Sequence, residues 1–175
     1  MTRILLVGFM AAGKTTLGKA LARDLGLQFV DLDHYIENRY HSTVSQLFAD
    51  RGEEGFRQIE RNMLHEVAEF ENVIISCGGG TPCFYDNMDY MNSLCETVYL
   101  KASAEVLAAH LKMGKVVRPL IQGKTDEELT AYIQGMLDQR EPYYMKAMHI
   151  FNVDLLNSRE KVAESVRLLR EATGI

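Results

Sequence analysis

The chain has 175 residues, 47% of them hydrophobic and 25% charged, with a formal net charge of −5. That length suits one domain able to bury its own core, and the composition is that of a globular protein rather than a disordered or fibrous one. The charges are interspersed, so no basic face speaks for nucleic acid or a membrane surface, and anionic ligands would have to be met by individually placed cationic side chains.

Ile4-Leu5-Leu6-Val7 reads as a buried strand, followed by a Gly-rich turn and a helix over Lys14–Leu25 that stops at Gly26. The turn, Gly8-Phe9-Met10-Ala11-Ala12-Gly13-Lys14-Thr15, fits G-x-x-x-x-G-K-[ST]. Such a loop lets successive backbone N–H groups point at phosphate oxygens, and the following helix N-terminus adds its positive end. Lys14 would reach the β- and γ-phosphates of a nucleoside triphosphate, and the Thr15 hydroxyl could ligate Mg²⁺.

Phe29-Val30-Asp31 reads as a second strand, followed by helical pattern over 33–40, 44–50 and 53–70, with Thr43 a cap for the second piece. Strand alternation through Asp31-Leu32-Asp33 predicts both carboxylates on one face, towards the phosphate loop. One could hold Mg²⁺ through water, the other could bond or deprotonate an acceptor hydroxyl; alternatively Asp33 caps the next helix. On the helix that follows, Arg57 offers a planar fork suited to a carboxylate.

Val73–Ser76 reads as a third strand running into Cys77 and three successive glycines, Gly78-Gly79-Gly80. Three in a row cost much backbone entropy, which points to close approach by a ligand or another group. Thr97–Leu100 reads as a fourth strand and Ala104–Leu111 as a helix. The span 112–124 lacks apolar periodicity and carries Arg118, placed to swing onto phosphates if the span is a lid. A helix over 126–144 carrying Arg140, a fifth strand over 149–153 and a closing helix from Arg159 complete the pattern.

Apolar strands separated by amphipathic helices indicate a parallel sheet covered on both faces, with ligands outside the carboxyl ends of its strands. Cys77, Cys83 and Cys95 lack metal-ligand spacing and are odd in number, as expected of free thiols in a reducing compartment. The N-terminus shows no cationic segment and cleavage site, and no run reaches the roughly 18 apolar residues of a spanning helix. The simplest expectation is a cytoplasmic protein.

In order, Gly8-Phe9-Met10 with Gly13-Lys14-Thr15, Asp31-x-Asp33, Phe56-Arg57-x-x-Glu60, Gly78-Gly79-Gly80, Arg118-Pro119-Leu120 and Arg140-x-Pro142-x-Tyr144 resemble the shikimate kinase family over nearly the whole chain. The resemblance implies an α/β P-loop kinase fold like that of nucleoside monophosphate kinases. Its five-stranded parallel sheet would carry helices on both faces, with a substrate-binding region near 32–61 and a lid near 112–124. It implies phosphorylation of the 3-hydroxyl of shikimate by MgATP, towards chorismate and the aromatic amino acids, by a monomer with no nucleic-acid or membrane partner.

The resemblance also implies residue roles. Lys14, Asp33 and Arg118 would be catalytic, and Ala11, Ala12, Gly13, Lys14, Thr15, Thr16 and Arg118 would bind ATP. Asp33, Arg57, Gly79 and Arg140 would bind shikimate, and Thr15 would bind Mg²⁺ with Asp31 behind a coordinated water. Ala11 stands where the family often has glycine, and the segment Ala108-Ala109-His110-Leu111-Lys112 lacks the arginine that the family commonly stacks near the adenine. The family's late adenine loop is poorly matched in Asp154–Ser158. Gluconate, which also joins hydroxyls to a carboxylate, is the nearest alternative acceptor; a monophosphate acceptor would call for more lid arginines than Arg118. A GTPase-type switch would require N-K-x-D and D-x-x-G, which the sequence lacks.

Overall fold

The structure is a computed structural model and describes residues 1–114 and 122–175. Arg118 and most of the expected lid lie outside the described residues.

Five strands, β1 (Arg3–Val7), β2 (Gln28–Asp31), β3 (Val73–Ser76), β4 (Glu96–Lys101) and β5 (His149–Asn152), form one sheet in the order β2-β3-β1-β4-β5. Every pairing is parallel. The central strands are sealed on both sides: Ile4–Val7, Val73–Ile75, Val98 and Leu100 are each 0% exposed. Unbroken apolar runs rather than alternating ones follow directly from that two-sided burial. From β1 the chain builds the sheet first to one side and then to the other, so its direction switches beside β1, where α/β sheets form their ligand crevice.

The helices are α1 (Lys14–Leu25), α2 (Leu32–Tyr40), α3 (Val44–Ala68), α4 (Asn87–Leu94), α5 (Ala104–Met113), α6 (Asp126–Tyr144) and α7 (Arg159–Thr173), with a short 3-10 turn at Thr81–Cys83. Thr43 and Gln46 form a reciprocal capping box at the start of α3, and Thr125 and Glu128 form another at the start of α6. The two helical pieces expected over 44–50 and 53–70 are arms of α3 meeting at Gly52, whose φ of 68° and ψ of 178° break the helical path.

Four further expectations need correction. The second strand ends at Asp31, which becomes the N-cap of α2 by accepting a bond from the His34 N–H. Asp33 therefore sits in the first helical turn, so strand alternation does not relate it to Asp31, and Asp31 rather than Asp33 is the cap. α3 stops at Ala68, two residues short of Phe70. α5 continues to Met113, so Lys112 and Met113, expected in the irregular span, are helical. α4 was not expected at all; its Asn87, Met88 and Met91 are buried against the rest of the fold.

Candidate active site

The site lies beyond the carboxyl ends of β1, β2 and β3. The strand register sets Asp31 opposite Ser76, and Ser76 opposite Leu6, so the three loops that follow emerge at one level. A cleft of about 470 Å³ opens there, lined by Ala11, Gly13, Lys14, Thr15 and Thr16 from the phosphate loop and α1, Asp31 and Asp33 from the β2–α2 junction, and Gly78 and Gly79 after β3. His110, Met113, Gly114 and Leu156 close its far side.

The phosphate loop carries its turn at Gly13, whose φ of 100° makes it the N-cap of α1. Ala11 also has positive φ, 63°, a conformation that costs a residue with a Cβ about 1–2 kcal/mol. Lys14 is buried at 8% exposure, and its Nζ bonds the Gly8 and Phe9 carbonyls at 2.7 and 2.8 Å. The lysine is thus folded over its own loop, beside the N-terminus of α1. Ala12 differs from its neighbours Ala11 and Gly13: its N–H bonds the Phe9 carbonyl at 3.1 Å, and it does not line the cleft.

Thr15 Oγ1 lies 3.3 Å from Asp31 Oδ2, while Asp31 Oδ1 accepts the α2 cap bond at 3.2 Å. A hydroxyl and a carboxylate oxygen this close, next to a phosphate loop, fit the oxygen-rich partial ligand set that Mg²⁺ takes when phosphates supply the remainder. Asp33 is half-buried. Its proton affinity is raised from the ordinary 3.8 to about 6, first by burial and then by the nearby Asp31 and Glu60 charges, with Lys14 opposing.

The three glycines after β3 each face one candidate acceptor-binding side chain. A Cβ on Gly78 would stand 3.3 Å from Asp33 Oδ1. On Gly79 it would stand 3.1 Å from Arg140 Nη1 and 3.3 Å from the Met10 amide nitrogen, and on Gly80 2.6 Å from Arg57 Nη2. Close approach, not unusual backbone dihedrals, accounts for this triplet, since none of the three has positive φ.

Arg57 is held from several sides. Nη1 donates to Glu60 Oε1 at 2.9 Å, and Cζ stands 4.1 Å from the centre of the Phe84 ring. Glu60, 1% exposed, accepts at its other oxygen from Thr81 Oγ1 at 2.8 Å, and the Thr81 carbonyl accepts from Asn87 Nδ2 at 2.9 Å. The Nε of Arg57 is buried and has no hydrogen-bond partner among the described residues. Arg140 stands over Phe9, 5.6 Å from its ring centre. One α-helical turn later the buried Tyr144 donates to the Gly79 carbonyl at 2.5 Å. Burial pushes the Cys83 thiol up, and the Arg140 and Arg57 charges oppose that push.

Glu60 and Tyr144 stand within the sequence motifs without a role; their spacing, three residues after Arg57 and four after Arg140, is the signal that could have found them. Thr81, Phe84 and Asn87 carried no such signal.

Known proteins show which family the chain is similar to. The family model described as shikimate kinase matches residues 10–170. A shikimate kinase of Bacteroides thetaiotaomicron is 56% identical over 171 residues, covering 98% of each chain. The crystal structure of a shikimate kinase from the same organism superposes with a TM-score of 0.94 at 55% identity, covering 99% of both chains. That of an Acinetobacter baumannii shikimate kinase in complex with shikimate superposes with a TM-score of 0.80 at 30% identity, covering 98% of this chain and 92% of that one. The chain belongs to the shikimate kinase family.

Proposed function

We propose that this chain transfers the γ-phosphoryl group of ATP to the 3-hydroxyl of shikimate, giving shikimate 3-phosphate and ADP on the route to chorismate, with the following division of labour. The phosphate loop, Ala11 to Thr16, holds the triphosphate through its backbone N–H groups, Ala12 giving up its bond to the Phe9 carbonyl to join them, and through Lys14, whose ammonium exchanges its carbonyl partners for β- and γ-oxygens. Thr15 and, through water, Asp31 would hold Mg²⁺, which when bound would neutralise phosphate charge. Asp33 orients the attacking hydroxyl and accepts its proton; the hydroxyl oxygen bonds to the γ-phosphorus as the bond from that phosphorus to the ADP oxygen breaks. Arg57 and Arg140 hold the shikimate carboxylate beside Gly79, and Arg118 brings positive charge to the transferring group. Residues 32–61 form the substrate-binding region of a single domain and 112–124 its lid. The enzyme works as a cytoplasmic monomer.

The observation that carries this reading is the glycine triplet. Asp33, Arg140 and Arg57 each border one of three consecutive residues, and a Cβ on the middle one would also stand 3.5 Å from the Gly8 carbonyl of the phosphate loop. A ligand with hydroxyls at one end and a carboxylate at the other is thereby aimed at the phosphates, which is the positioning that phosphoryl transfer requires. The buried Nε of Arg57 makes no hydrogen bond and has only the Glu53 carboxylate 4.0 Å away, which supports a carboxylate as the group received.

The test is product identity. Phosphorus and proton NMR of a reaction run to completion with MgATP and shikimate should show one monoester, with the phosphorus coupled to the ring proton at carbon 3. Coupling to the proton at carbon 4 or 5 would contradict the proposed orientation by Asp33 and the two arginines.

A further inference from the structure

His110 joins two parts of the nucleotide side of the cleft that are remote in sequence. Its Nδ1 stands 2.7 Å from the Ala11 carbonyl oxygen in the phosphate loop, and its Nε2 is 2.9 Å from the Leu156 amide nitrogen. The partners dictate the tautomer: an amide N–H can only donate and a carbonyl can only accept. The ring is therefore neutral, with its proton on Nδ1 donated to Ala11 and the Nε2 lone pair receiving Leu156 N–H.

Both anchor points need holding. Ala11 keeps a left-handed backbone, φ 63°, and such strain persists in a residue with a Cβ only where its surroundings over-determine it. Leu156 belongs to the segment between β5 and α7 and lays Cδ1 2.6 Å from where a Cβ of Gly13 would be. It thus covers the residue from which α1 starts. His110, Ala11, Gly13 and Leu156 all line the same cleft.

We propose that His110 is a positioning residue for the nucleotide: a neutral imidazole strap that locks the Ala11 peptide of the phosphate loop to the Leu156 segment and so pre-forms the MgATP site. The strap rests on the reading of the phosphate loop as the ATP site, and it does not touch the acceptor groups Asp33, Arg57 and Arg140. Its loss should therefore divide the two substrates.

The experiment compares wild type, His110→Phe and His110→Asn in the full chain, measuring Kd for MgATP and for shikimate by calorimetry alongside kcat and both KM values. His110→Phe keeps a ring but makes neither bond. It is expected to weaken MgATP binding about tenfold, the effect of removing two modest neutral hydrogen bonds from a pre-formed site, while shikimate affinity and kcat at saturating MgATP stay within about threefold. His110→Asn places an amide donor near the position of Nδ1 and is expected to recover part of the loss. MgATP affinity unchanged in His110→Phe would overturn the strap. So would equal losses for both substrates, or no recovery by His110→Asn. Wild-type protein that binds no MgATP would overturn the ATP-site reading itself, and the strap with it.

Discussion

The guanidinium of Arg57 occupies the space that a side chain at Gly80 would need: a Cβ there would lie 2.6 Å from Nη2 and 3.0 Å from Cζ. Gly80 itself has φ −87° and ψ −19°, a conformation open to any residue, so glycine is required there for room alone. Gly80→Ala is expected to displace the fork and raise KM for shikimate about tenfold or more, with KM for MgATP changed less than twofold. Steady-state kinetics with each substrate varied checks this; equal effects on the two would detach the contact from the acceptor site.

Arg57→Lys tests the same group by chemistry instead of space. An ammonium cannot bond Glu60 and a ligand carboxylate together in the geometry of a planar fork, and it leaves Glu60, 1% exposed, poorly compensated. The expected outcome is a rise of about 10- to 100-fold in KM for shikimate with little change for MgATP, together with a lower Tm. Isothermal titration and a thermal melt read the two effects separately.

Much of this site was legible from sequence, and the reasons differ by residue. The strands announced themselves because burial on both faces forces continuous apolar runs, as in Ile4–Val7 and Val73–Ile75. The phosphate loop was legible because its backbone geometry demands glycines and its chemistry demands Lys14 and Thr15. Asp31 and Asp33 were rightly brought to the cleft but by the wrong geometry, since strand passes to helix at Leu32 with no intervening loop to mark the change. α4 escaped because asparagine, aspartate and serine break up its short apolar face. His110 could not be read locally: its two partners lie 99 and 46 residues away in the chain.

Asp33 ties activity and stability to pH in opposite directions. Its proton affinity is raised from 3.8 to about 6 in the fold. The contribution of this group to stability is therefore fully present below pH 3.8 and is lost as pH rises through about 6. Asp33→Asn, neutral throughout, is expected to be more stable than wild type at pH 8 by about 2–3 kcal/mol, and to lose that advantage towards pH 4. Denaturant melts at the two pH values check the sign. The same variant should lose about 10²- to 10⁴-fold in kcat, and wild-type kcat/KM for shikimate should fall as pH drops below about 6. A kcat for Asp33→Asn close to wild type would remove the carboxylate from the proton's path.

Asp33, Arg57 and Arg140 are proposed to aim a hydroxyl-and-carboxylate acceptor at the phosphate loop. The most direct test is a coupled ADP-release assay of the wild-type chain with MgATP, comparing shikimate, gluconate, AMP and no acceptor. Rapid turnover with shikimate and background rates with the other three is the predicted result. Comparable turnover with gluconate or AMP, or ADP release that does not depend on an acceptor, would contradict the account.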